Sequence, residues 1–110
     1  MTRTSDRRRR AVDFVEASLG KLRATPFATL VAWPEFPDRP TVDLRVPDDL
    51  GPYTFTLMKD TLHTGEVRIA IQAYRYAWPG MFNEAWAKGF AMSSDGTVRP
   101  LTEQEHWDLT

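Results

Sequence analysis

A chain of 110 residues, 42% hydrophobic and 26% charged, fits one globular domain; its net charge of −1 gives no overall attraction to nucleic acid or anionic membrane. Cysteine is absent, which excludes disulfides, thiol nucleophiles and cysteine-ligated zinc, and no apolar run approaches the ~20 residues of a membrane span. Asp13 and Glu16 interrupt the region after Arg7, Arg8, Arg9 and Arg10, so no secretory signal is read there, and the expectation is a soluble cytoplasmic protein.

The pattern predicts disorder over residues 1–4 and one long helix over 5–23. Ser5, or alternatively Thr4, would cap it, with Asp6 at the positive end of the dipole. Val12, Val15, Leu19 and Leu22 recur at helical spacing, flanked by Ala11, Phe14 and Ser18, and Thr25-Pro26 marks the stop. Four consecutive arginines spread around such a helix and form no single stripe. A solvated helix end, or pairing with the acidic C-terminal residues Glu103, Glu105 and Asp108, explains them better than phosphate contact does.

Residues 27–33 form a short strand candidate, closed by a proline-rich loop from Pro34 to Pro40. Residues 41–46 alternate, with Val42, Leu44 and Val46 on one side. A turn at 47–52 then leads into a second alternating run at 53–58, and the two runs are read as a hairpin. Lys59 to Gly65 reads as a polar loop. Residues 66–78 form the most strand-like run, with Val67, Ile69, Ile71 and Ala73 as its core face.

Residues 84–92 fit two readings. As a helix, Phe82, Ala85, Trp86, Gly89 and Phe90 share a face; as a strand, small residues alternate with Trp86, Phe90 and Met92. The strand is preferred because a hairpin leaves no unpaired edge on that side. Ser94-Asp95-Gly96 is a turn, and Thr102 with Glu105 forms a capping-box pattern opening a short helix over 102–109. The fold class is therefore α+β over residues 1–110: an N-terminal amphipathic helix on one face of a four- to five-stranded antiparallel sheet, with a short C-terminal helix.

One helix covers one sheet face, so the second face needs water, a loop or a partner. Arg68, Gln72, Tyr74, Tyr76 and Trp78 are expected there, joined by Trp86 and Phe90 of the next strand. Tyrosine, tryptophan and arginine together are the types enriched at interfaces. The first reading is a non-catalytic binding or assembly domain that pairs with a second copy of itself, or with another protein, through this aromatic face. The alternative is a small-molecule-binding protein or small enzyme holding an apolar or aromatic ligand between helix and sheet. Trp33, Phe36, Tyr74, Trp78 and Trp86 would line that pocket, with Asp60 or His63 at its mouth.

Catalytic chemistry has few candidates. His63 lies in a polar loop with Asp60 and Glu66, and His106 lies beside Glu105, but neither matches a metal or acid–base spacing, and exposed histidines are the simpler reading. Asp48-Asp49 reads as a solvated turn. No phosphate loop, nucleophile elbow or zinc motif occurs, so no cofactor and no metal are expected, and nucleic acid and membrane are disfavoured as partners.

Overall fold

The computed structural model describes residues 3–51, 53–75, 84–102 and 104–105. Helix α1 spans Arg3–Arg23 and helix α2 spans Phe27–Val31. A 3-10 turn at Asp48–Leu50 leads into four strands: β1 Tyr53–Thr61, β2 Val67–Arg75, β3 Glu84–Met92 and β4 Val98–Pro100. They form one antiparallel sheet in chain order, the arrangement that successive hairpins produce without crossovers.

The predicted stripe of α1 is the buried one. Val15, Leu19 and Leu22 pack on Leu57, Val67, Ile69, Ile71, Phe90 and Met92, and Ala11 is buried toward Leu50, Tyr53 and Ala73. Each fully buried aliphatic or aromatic side chain contributes ~1.5–3 kcal/mol, so this one face holds helix to sheet. The helix begins at Arg3, before both Thr4 and Ser5.

Three expectations about the first half are corrected. Residues 27–31 are helical, not extended. Five residues are too few for periodicity to separate strand from helix, and the carbonyl of Pro26 accepts the amides of Thr29 and Leu30, which closes a helical turn. Residues 41–46 are irregular and belong to no strand. The expected hairpin between 41–46 and 53–58 does not form, and β1 pairs with β2 instead, from Tyr53 opposite Arg75 to Thr61 opposite Val67. The polar residues 59–61 thus belong to β1, and the turn beyond them closes through Leu62 and Glu66, where Gly65 takes φ 93°, a conformation that favours glycine.

Strand β3 settles the ambiguity at 84–92, and β4, which the sequence pattern did not suggest, pairs with its end through Ser93–Thr97 turn bonds. The described strands number four. The capping box forms as predicted: the Thr102 amide donates to Glu105 Oε1 at 3.0 Å and the Glu105 amide to Thr102 Oγ1 at 3.2 Å. The remainder of the expected helix 102–109 lies outside the described residues, as do Tyr76, Trp78, Phe82 and His106.

Candidate functional site

Residues directly opposite in an antiparallel pair share a face. Ile69 faces Phe90, Ile71 faces Lys88 and Ala73 faces Trp86, so Trp86 and Phe90 lie on the helix side, not with Tyr74. Phe90 is fully buried in the core beneath α1 and Trp86 packs against it. The outer face instead carries Gln72 and Tyr74, both half-buried, among Thr54, Thr56, Ala85 and Ala87. Parity along β3 fixed which residues go together; the register with β2 decides which face receives them.

Arg68 stays on the outer face but belongs to a polar network. Its Nε donates to Asp60 Oδ1 at 2.7 Å and its Nη2 pairs with Asp60 Oδ2. Arg99 grips Glu66 and Glu105 with two hydrogen bonds each, between 2.7 and 3.2 Å. These contacts hold the Glu105 carboxyl down to about 2, with the Thr102 amide adding to the effect, although burial opposes it. Beside the network, Leu101 packs on Met58, Ala70 and Ala91 and covers this end of the outer face.

On the helix side, Lys59 is 1% exposed. Its ammonium donates to the carbonyls of Val31 at 2.9 Å and Trp33 at 3.0 Å and pairs with Glu35 Oε1 at 3.2 Å, so all three protons are used. It closes the end of α2 onto β1. At the other end, Tyr53 donates to Glu84 at 2.7 Å, and Glu84 also pairs with Arg8 and Arg75. Burial, then the Glu84 carboxylate, pushes the Tyr53 phenol up to about 12. Arg10 pairs with Asp49, so the described partners of the basic helix start are Glu84 and Asp49 rather than Glu105.

These clusters are internally paired, although Arg75 Nε, 3.4 Å from Glu84, makes no hydrogen bond. A cleft of about 430 Å³ separates α1 from the irregular segment 42–45. Phe14, Ser18, Lys21 and Leu22 form its helix wall, at positions i, i+4, i+7 and i+8 that share one face. Val42, Asp43, Leu44 and Arg45 form the opposite wall. A second gap of about 260 Å³ lies on the other side of the same segment, against Phe55 and Leu57 of β1. Among the described residues, no backbone hydrogen bond ties 39–46 to β1.

The segment's own geometry keeps it apart. Asp43 Oδ1 accepts the Arg45 amide at 2.8 Å, and Arg45 sits at φ 55°, a left-handed conformation that costs a non-glycine residue roughly 1–2 kcal/mol. This kink breaks the period-two alternation, so Val42 and Val46 are each 41% exposed while Leu44 is half-buried against the core.

Two features make the cleft a binding candidate. Lys21 and Arg45 bring cations to it and have no ion-pair partner among the described residues. Ser18, 8% exposed, lines the cleft with a hydroxyl that has no hydrogen-bond partner among the described residues. Sequence reasoning placed Phe14 and Ser18 beside the helix stripe but gave the cleft residues no functional role. The signal present was the i, i+4, i+7, i+8 recurrence next to the main stripe, invisible as a site without segment 42–45 opposite it.

Of the residues expected to line a pocket, Trp78 lies outside the described residues and the described ones stand apart. Trp33 is half-buried against the core, Phe36 is exposed, and Tyr74 lies on the opposite side of the sheet from Trp86. Asp60 is engaged by Arg68, and His63 is exposed in the β1–β2 turn. No group of three or more metal-ligating side chains occurs among the described residues. No described helix is long and apolar enough to cross a membrane. No protein-family model, curated protein or solved structure matches this chain.

Proposed function

We propose that this chain is a small-molecule-binding domain whose site is the cleft between α1 and residues 42–45. The observation that carries the reading is the segment standing off from both its neighbours, with an apolar wall and the Ser18 hydroxyl, unpartnered among the described residues, at the space between. A volume of about 430 Å³ falls near the lower end of the ~300–1,000 Å³ typical of ligand pockets, which suits a compact ligand. The kinked backbone at Arg45 adds support, because strained residues cluster at ligand clamps.

Self-association through an aromatic sheet face is the less favoured reading. It rests on Arg68, Gln72, Tyr74, Tyr76 and Trp78 with Trp86 and Phe90 beside them; Trp86 and Phe90 lie under the helix instead, and Tyr76 and Trp78 lie outside the described residues. What remains described on the outer face is mostly small and polar, which is poor in the anchors that dominate interfaces.

A titration with octan-1-ol, a neutral apolar probe, followed by amide chemical shifts tests the cleft. Saturable shifts confined to residues 14–22 and 42–45 are expected. Shifts centred on Gln72 and Tyr74, or none at millimolar probe, would contradict the assignment.

A further inference from the structure

Within this binding reading, on which the inference rests, the side chains at the cleft also point to the chemistry of the ligand. We infer that it is an amphipathic carboxylate: a short apolar chain ending in one anionic group. Phe14, Leu22 and Leu44 supply apolar surface for the chain. Lys21 and Arg45 supply two positive charges, and Asp43, whose Oδ1 is turned to the Arg45 amide, supplies one negative. The lining therefore carries a net charge of +1, which a monoanion neutralises.

The donor set fits a carboxylate in kind as well as in charge. The planar guanidinium of Arg45 matches a carboxylate with two parallel N–H bonds, and the Lys21 ammonium adds a flexible point charge from the facing wall. Ser18 lies one helical turn before Lys21 on the same face, and its hydroxyl can donate to the same head group. Ser18 is 8% exposed as a residue, and its hydroxyl, without a hydrogen-bond partner among the described residues, is open to the cleft, where a ligand acceptor could take its hydrogen bond. Two cations elsewhere on the sheet are committed: Lys59 to Val31, Trp33 and Glu35, and Arg99 to Glu66 and Glu105.

Calorimetric titration of the full chain with octanoate, octan-1-ol and octylammonium tests this directly. Charge-assisted hydrogen bonds to the head group predict octanoate binding at least about tenfold more tightly than octan-1-ol, with octylammonium weakest. The preference should shrink as salt is raised, because Lys21 and Arg45 are solvent-exposed. The double variant Lys21→Gln/Arg45→Gln should lose the preference, binding octanoate no better than octan-1-ol. Ser18→Ala should weaken octanoate by a smaller factor.

Equal affinity of the unaltered chain for octanoate and octan-1-ol overturns the carboxylate inference and leaves the cleft reading standing. Failure of all three probes to bind overturns both. Retention of the octanoate preference in a double variant with an unchanged circular dichroism spectrum overturns the assignment to Lys21 and Arg45.

Discussion

Two segments flank the sheet's core, and they are held very differently. Residues 98–102 pair with β3, seat Leu101 on the sheet and end in a reciprocal capping box, with Arg99 gripping two carboxylates. Residues 39–46 have the buried Pro40, the half-buried Leu44 and one local hydrogen bond from Arg45 to Asp43. The first segment pairs its arginine and its capping residues against the protein. The second borders gaps of about 430 and 260 Å³, where among the described residues Lys21 and Arg45 have no ion-pair partner and the Ser18 hydroxyl no hydrogen-bond partner. What fixes such a segment is therefore a ladder, an apolar plug and polar pairing.

The largest break in that comparison comes from the plug. A Cβ at Gly89 would lie 2.1 Å from the Ile69 carbonyl oxygen, 2.9 Å from Ala70 Cα and 2.8 Å from Leu101 Cδ1. Two of these are backbone atoms that cannot yield. Gly89→Val should destabilise the protein by about 3 kcal/mol and release Leu101, measured by urea unfolding. Next is the anchor that precedes the loose segment. Lys59→Met leaves the carbonyls of Val31 and Trp33 without their donor, so a loss of roughly 2 kcal/mol is expected in the same assay.

Acid should loosen the tight segment selectively. The Glu105 carboxyl is held near 2 by Arg99 and the Thr102 amide, below the ~4.3 of an unfolded glutamate. Its contribution to stability is complete above that unfolded value and is lost as pH falls toward 2. Amides of residues 98–102 should lose exchange protection over this window before those of α1 do. The smallest effect runs the other way. Arg45→Gly relieves the left-handed strain, so it should stabilise the free protein by about 0.5–1 kcal/mol while weakening octanoate binding. A destabilised variant would remove the strain argument.

How much of this was readable in the chain follows from the range of each signal. Helix α1 was legible because Val15, Leu19 and Leu22 repeat over several turns, and β2 because Val67, Ile69 and Ile71 alternate. The capping box was legible because it is local, Thr102 to Glu105. Residues 27–31 were misread because so short a stretch carries no period. Residues 41–46 do alternate, but the kink at Arg45 and the pairing of β1 with β2 override that pattern. The side of Trp86 depended on register across β2 and β3, a tertiary quantity that parity within one strand cannot supply. Buried Lys59 looked like a loop lysine because its partners, Val31 and Trp33, lie 28 and 26 residues away. The cleft was hidden for the same reason: Lys21 and Arg45 meet only once the chain has doubled back.

The most direct measurement is hydrogen exchange of the full chain with and without saturating octanoate. The account predicts that amides 42–46 exchange fast in the free protein and slow by at least about tenfold on binding, with β2 unchanged. Unaltered exchange over 42–46 under octanoate, or protection appearing on the outer face around Gln72 and Tyr74, would contradict it.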